Sequence, residues 1–342
     1  MSLSSYLAPS RIFLALVILL PLSFLAAIAI GAVQLPMADV IYSLTGLSDD
    51  AMTQLIVTDI RLPRALLAAT VGALLGISGA ATQGLFRNPL ADPSLIGVTA
   101  GSMAGASLAI VLSGSAAAGY LGLSLVSLGA FGGGVLAVLF VYRLATGTTG
   151  TSVATMLLAG IAISALAGSF NSFLEFIADN EMLRRISLWK MGGLEGADSV
   201  RVAIAIVVTF VSLLVLPREA KALNALLLGE SQARHLGIDV NRVKQRLICM
   251  VAAAVGVSVA LAGSISFVGL IVPHIIRLIG GPDHRYLLLA SGLAGATLLL
   301  IADTFARVVI APTELPVGMV TALIGAPFFI FLLRQKLSVE FH

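Results

Sequence analysis

Long apolar runs separated by short polar punctuation dominate the pattern of this chain. Runs of about 20 predominantly apolar residues, enough to cross a hydrocarbon core of roughly 30 Å, recur from Arg11 to Lys336. Breaking the sequence at Pro, Gly and charge clusters predicts ten helices, over 12–32, 63–83, 94–113, 121–142, 151–177, 199–216, 246–262, 264–280, 286–309 and 316–333. The predicted fold is an all-α polytopic membrane protein in which residues 1–342 form a single transmembrane domain. The first run exceeds a signal-peptide core, lacks a clear A-x-A site and is followed by nine more, so it reads as a span.

Composition supports that pattern. Of 342 residues 58% are hydrophobic and 11% charged, and mean hydropathy is +1.06, whereas a soluble domain carries about a quarter charged residues. So few charges cannot cover a water-soluble surface of this size, and nothing implies a nucleic-acid partner. The 34 glycines lie within the apolar runs beside Ala and Ser, as suits helices that approach backbone to backbone in lipid. Cys249 stands alone, so no intrachain disulfide forms. With the N-terminus in the cytoplasm, 13 of the 20 basic residues fall inside. The other seven are Arg61, Arg64, Arg184, Arg185, Lys190, Arg201 and Arg307. The positive-inside rule thus puts both termini in the cytoplasm.

An internal repeat is visible. Ala69, Val71, Gly72 and Gly79 recur as Ala253, Val255, Gly256 and Gly263, and Pro89 recurs as Pro273. AGSMAGASL at 100–108 resembles ASGLAGATL at 290–298. The second span pairs with the seventh, five crossings later, which predicts repeat halves of opposite orientation over about 63–178 and 246–334. Inverted repeats interrupted by Gly and Pro at matching positions are a transporter pattern.

Three segments carry candidate chemistry. RNPLADPSLIG at 87–97 sets Asn88 and Leu90 in a proline-interrupted connection, a backbone tolerated at membrane depth only inside protein or beside a cavity. Residues 217–246 form the longest inside connection, where Leu227, Leu228, Ala233, Leu236 and Ile238 alternate with Glu230, Gln232, Arg234 and His235. Short amphipathic helices broken at Gly229 and Gly237, with no obvious surface of their own to cover, suit a groove on another protein. Lying on lipid is the rival reading. Arg61, Arg64 and Arg307 are predicted as outward arginines at helix ends, able to pair with a docking partner's carboxylates.

These residues resemble the permeases of binding-protein-dependent importers for ferric siderophores, haem and vitamin B12. The resemblance runs from about Leu55 to Leu333, through RLPRALLA at 61–68, GLFRNPLADPSLIGV at 84–98, LGESQARHLGI at 228–238, SFVGLIVPHIIRL at 266–278 and ELPVGMVTALIGAPFF at 314–329. It implies an inner-membrane, ten-helix subunit paired with a second copy of itself around a central pathway. Two ATP-binding-cassette subunits would hold ATP and Mg, and a periplasmic substrate-binding protein would deliver cargo. Leu228, Gly229, Glu230, Ala233, Leu236 and Gly237 match the family's ATPase-docking pattern, and Arg234 lies within it. Arg61, Arg64 and Arg307 match its docking arginines, and Asn88 and Leu90 its cytoplasmic gate. The stretch 178–194, with Trp189, looks most like the haem-importing branch, in which His274 and His284 stand at positions considered haem contacts. His274, inside the eighth span, would be a transient iron ligand, and no permanent metal or cofactor is expected on this chain. A ferric siderophore or cobalamin is the alternative cargo.

Other classes fit less well. Gly76-Ile77-Ser78-Gly79 matches the GxSG of rhomboid-type proteases, but Ser78 sits in the repeated small-residue stretch and needs a histidine base. An ion-driven carrier would need buried acids, for which Asp303 and Glu175 are the main choices. There is no G-x-x-x-x-G-K-[ST], so ATP hydrolysis must come from a separate subunit.

Overall fold

The computed structural model describes residues 9–48, 50–114, 120–148 and 150–340. Helix α1 (Pro9–Ala29) is followed by short α2 (Met37–Leu44) and α3 (Ala51–Leu55), and a π-helical turn at Ile56–Arg61 leads into α4 (Leu62–Leu85). A 3-10 turn at Pro93–Ile96 precedes α5 (Val98–Ser113). Helices α6 (Tyr120–Ala145) and α7 (Val153–Ile177) flank the two-residue strands β1 (Thr146–Gly147) and β2 (Gly150–Thr151). Then come α8 (Asn180–Met191), α9 (Ser199–Val215), a 3-10 turn at Leu216–Glu219, α10 (Ala220–Leu227) and α11 (Glu230–His235). The chain closes with α12 (Val240–Ala262), α13 (Val268–Gly280), α14 (His284–Val308) and α15 (Val317–Glu340).

Seven helices are long and apolar enough to cross a membrane, and α5, α13 and the Val317–Phe331 part of α15 are shorter apolar helices. Together they account for the ten predicted spans. Boundaries move where local chemistry says they should: α12 begins at Val240 rather than 246 because the Asp239 carboxylate accepts the Arg242 N–H at 3.1 Å, a strong N-cap.

Helix α4 is the hub, packed by α14, α13, α12 and α9 and buried along most of its length. Its centre has no room for side chains. A methyl group on Gly72 or Gly76 would overlap the carbonyls of Gly295 or Ser291 on α14, and one on Gly79 would overlap that of Gly269 on α13. Such contact lets backbones approach where lipid supplies no hydrophobic drive.

Helix α4 runs from Arg64 toward the end holding α10, since Leu223 lies against Gly84. Helix α12 runs the other way, ending at Gly263 against Trp189, so the matched spans have opposite directions. The matched segments pack differently. Gly256, the counterpart of Gly72, meets the Phe131 ring at 3.5 Å and Val98 at 3.8 Å, so the helix-to-helix carbonyl contact made at Gly72 has no equivalent at that position. The 100–108 and 290–298 blocks sit on α5 and α14, whereas the helix after α12 is α13. Their likeness reflects two separate seams, Gly101 and Gly105 against α6 and Ser291 and Gly295 against α4, because any close contact needs small residues every fourth position. Likewise Pro89 lies in a turn whereas Pro273 lies inside α13.

Both halves contain a short helix with a non-helical lead-in. Helix α13 has 13 residues, about 20 Å at 1.5 Å per residue, and it starts beside the middle of α4, where Gly269 faces Leu75 and Gly79. The Pro93 ring reaches the same point, 3.2 Å from where a Gly269 side chain would stand. The lead-in 86–97 therefore meets the start of α13 inside the bundle, a backbone arrangement found in membranes where protein surrounds it.

Candidate functional site

At one end of the α4–α14 pair lies the predicted coupling segment. Its first helix departs from expectation. The apolar face of α10, with Ala222, Leu223 and Leu226 buried, packs on α4 and α14 of the same chain instead of remaining free for a partner. Asn224 fixes it further: its Oδ1 accepts the His284 N–H at 2.9 Å and lies 2.8 Å from His284 Nδ1, and its amide donates to Asp283 Oδ1 at 2.6 Å. Although burial pushes the Asp283 carboxyl up, donation from the Arg285 N–H and the Asn224 amide, with the Arg285 charge, holds it below the usual carboxylate range. His284, fully buried, belongs to this junction.

What remains outward is α11 and its flanks. Gly229 turns the chain at φ +117, a conformation closed to most side chains, leaving Leu228 at 66% and Leu236 at 65% exposed. Ala233 faces inward with no exposure, and Gly237 ends the helix at φ +80. Glu230 and Arg234, alike in the sequence, play different parts. Arg234 is solvent-facing, 3.8 Å from Glu230 Oε2. Glu230 is anchored by Lys244, whose ammonium lies 2.7 Å from Glu230 Oε1 and 2.7 Å from the Thr151 carbonyl oxygen. Lys244 drew no attention in the sequence, where it is one of several basic residues at the start of a span.

The opposite end holds the three arginines, and they are not outward-facing. Arg61, Arg64 and Arg307 are 6%, 7% and 5% exposed. Arg61 donates to Ile28 O at 2.7 Å, Ala29 O at 2.8 Å and also Val33 O, capping carbonyls at the end of α1. Arg64 donates from Nε and Nη2 to Asp303 at 3.0 and 2.8 Å and from Nη1 to Glu314 at 2.6 Å. Arg307 pairs with Asp303 at 3.1 Å and donates to Ala27 O at 2.7 Å. The expected exposed docking charges are thus consumed inside the fold. Asp303 and Glu314 lie 239 and 250 residues from Arg64, which is why the pairing escaped the sequence.

The gate candidates separate. Asn88 is exposed and Leu90 half-buried, and Asn88 Oδ1 accepts the Leu90 N–H at 3.0 Å, closing a turn just beyond α4. His274 is half-buried in the middle of α13. Trp189 lies at the arginine end, lining a cavity of about 230 Å³ with Ile110, Val126, Arg185, Arg201 and Leu261. The structure therefore does not bring Asn88, Leu90 and Trp189 together. The acids considered for ion coupling are engaged: Asp303 by two arginines, and Glu175 by Lys190 at 2.8 Å and Asn171 at 2.7 Å. Ser78 is fully buried, and its hydroxyl has no hydrogen-bond partner among the described residues, so the protease reading lacks its base. Among the described residues no group of three His, Cys, Asp or Glu side chains could hold a metal ion.

An almost entirely helical membrane bundle with two short helices led in by irregular backbone, buried polar clamps and a small amphipathic segment at one end has the class of a polytopic membrane transport component. The chain belongs to the FecCD transport family, whose profile matches residues 18–335. It is 42% identical to the hemin transport system permease protein HmuU of Yersinia pestis, over 94% of this chain and 95% of that one. It is 47% identical to the cobalamin import system permease protein BtuC of Halobacterium salinarum, over 83% of this chain and 74% of that one. A solved metal-chelate type ABC transporter in an inward-facing conformation superposes with a TM-score of 0.83 at 32% identity, over 96% of this chain and 99% of the other. This multi-pass membrane protein is the permease of an ABC importer.

Proposed function

We propose that two copies of this chain form the central pathway of an importer for haem or another iron chelate. The observation that carries the cargo reading is the near end-to-end match with a hemin permease. The α11 end, rich in basic residues, faces the cytoplasm, and both termini lie on that side. Leu228 and Leu236, exposed beside Arg234 and steadied by the Glu230–Lys244 pair, are the docking surface for the ATP-binding-cassette subunit, which holds ATP and Mg. The arginine end faces outward and receives the substrate-binding protein. All three guanidinium groups are engaged internally, so docking there uses the surface rim above them, where Glu314, itself held by Arg64, is 32% exposed. ATP-driven closure of two ATPases on the α11 segments opens the pathway alternately to the two sides. Asn88 and Leu90 stand at the inner mouth, and His274 offers an imidazole to iron in passing.

Cobalamin is the second reading, favoured by 47% identity to a cobalamin permease. The deciding experiment reconstitutes the permease with its ATPase in proteoliposomes and adds binding proteins loaded with haem, ferric siderophore or cobalamin. Stimulated ATP hydrolysis and uptake with haem supports the assignment. A response to cobalamin or siderophore alone replaces the cargo and leaves the permease reading standing.

A further inference from the structure

We propose that Lys244 is a positioning residue that ties the β1–β2 hairpin to α11, so that the start of α7 moves together with the coupling helix. The inference rests on the reading that the ATPase docks on α11. Lys244 lies in the first turns of α12 with its side chain only 3% exposed. Its ammonium spans two otherwise separate elements, Glu230 Oε1 at 2.7 Å and the Thr151 carbonyl at 2.7 Å. Thr151 closes the hairpin opposite Thr146, with the two hydroxyls 3.0 Å apart. The next residue, Ser152, is the N-cap of α7 and accepts the Thr155 N–H at 3.3 Å. Gly150 backs onto the Asn241 side chain of α12, which holds the hairpin against the same helix.

A continuous polar path therefore leads from α11 through Lys244 and β2 to the cap of α7. A buried ammonium that loses one of its two partners gives up part of what offsets its desolvation, so the three elements stay together when one is pushed. Helix α7 is mostly exposed beyond its first two turns in the single chain, and Met156 and Gly160 seat its start on the core and on Leu95, so a push at its cap acts on a packed end of the helix. Displacement of α11 reaches a long membrane helix by direct contact.

The test uses the full permease with its ATPase in proteoliposomes. Lys244→Met alone strands the Glu230 charge and can weaken the fold, so the informative variant is the double change Glu230→Gln with Lys244→Met, which removes both charges. The expected result is that cargo moved per ATP hydrolysed, a ratio independent of how much ATPase is bound, falls by at least about fivefold, the lower range of site-to-site coupling. Lys244→Arg, which keeps both contacts, retains the wild-type ratio. Wild-type transport per ATP in the double variant overturns the proposal while the docking reading stands. A second readout leaves Glu230 and Lys244 in place: spin labels at Arg234→Cys and Thr148→Cys, in a Cys249→Ser background, should keep one separation with and without ATP. A separation that changes by several ångströms between the two states overturns the rigid tie. If Leu228→Asp with Leu236→Asp leaves ATPase binding intact, the docking reading itself is wrong.

Discussion

The guanidinium of Arg64, near the start of α4, grips the carboxylate of Asp303, near the end of α14, through Nε and Nη2 at 3.0 and 2.8 Å. The same two helices touch at Gly72–Gly295 and Gly76–Ser291 in the middle. At the far end His284 joins α14 to α10 through Asn224. The pair is thus ion-paired at one end, closed in the middle and joined to α10 at the other.

Arg64→Ala leaves Asp303 buried with Arg307 as its remaining partner. Breaking a buried pair costs about 3–5 kcal/mol, so thermal unfolding in detergent should show a marked loss of stability. An unchanged melting temperature, with only weaker docking of the substrate-binding protein, would return Arg64 to the role of a surface contact.

The seam gives a matched comparison. Gly72→Ala drives a methyl group into the Gly295 carbonyl and should destabilise by about 1–3 kcal/mol, as overpacking does. Gly256→Ala, at the repeat-related position, meets only ordinary contact with Phe131 at 3.5 Å and should fold normally. Equal effects would mean that the two halves pack alike after all.

Replacing Leu228 and Leu236 by Asp should abolish co-purification of the ATPase while leaving the melting temperature within the small range of surface changes, about ±0.5 kcal/mol. Ala233→Asp, fully buried on the same short helix, should instead unfold the segment. If the leucine variant still assembles with the ATPase, docking lies elsewhere.

The two histidines should part company. His274→Ala should slow haem uptake with basal hydrolysis and dimer formation intact, and His274→Met should restore part of the uptake, since a thioether also binds iron. His284→Ala should cost about 1–3 kcal/mol of stability by removing a buried hydrogen-bonding group and should affect any cargo equally. Normal haem import by His274→Ala in the reconstituted system ends its assignment as an iron ligand.

Much was legible without the fold. Apolar run length marks a span wherever it occurs, so all ten helices could be read from the sequence, and small residues at every fourth position marked helices that meet backbone to backbone. Gly229 and Gly237 announced the breaks around α11 because positive φ is a local demand. The opposite directions of α4 and α12 followed from counting crossings.

What the sequence could not decide is which charge meets which. Arg64 and Asp303, or Lys244 and Thr151, are distant in the chain, and their contacts exist only once helices are packed. The three arginines therefore looked like exposed docking charges, and the α10 apolar face looked unpartnered, until tertiary packing buried both. A charge at a helix end is cheap in water and costly in the bundle unless paired, and only the arrangement of neighbouring helices determines which of those conditions it meets.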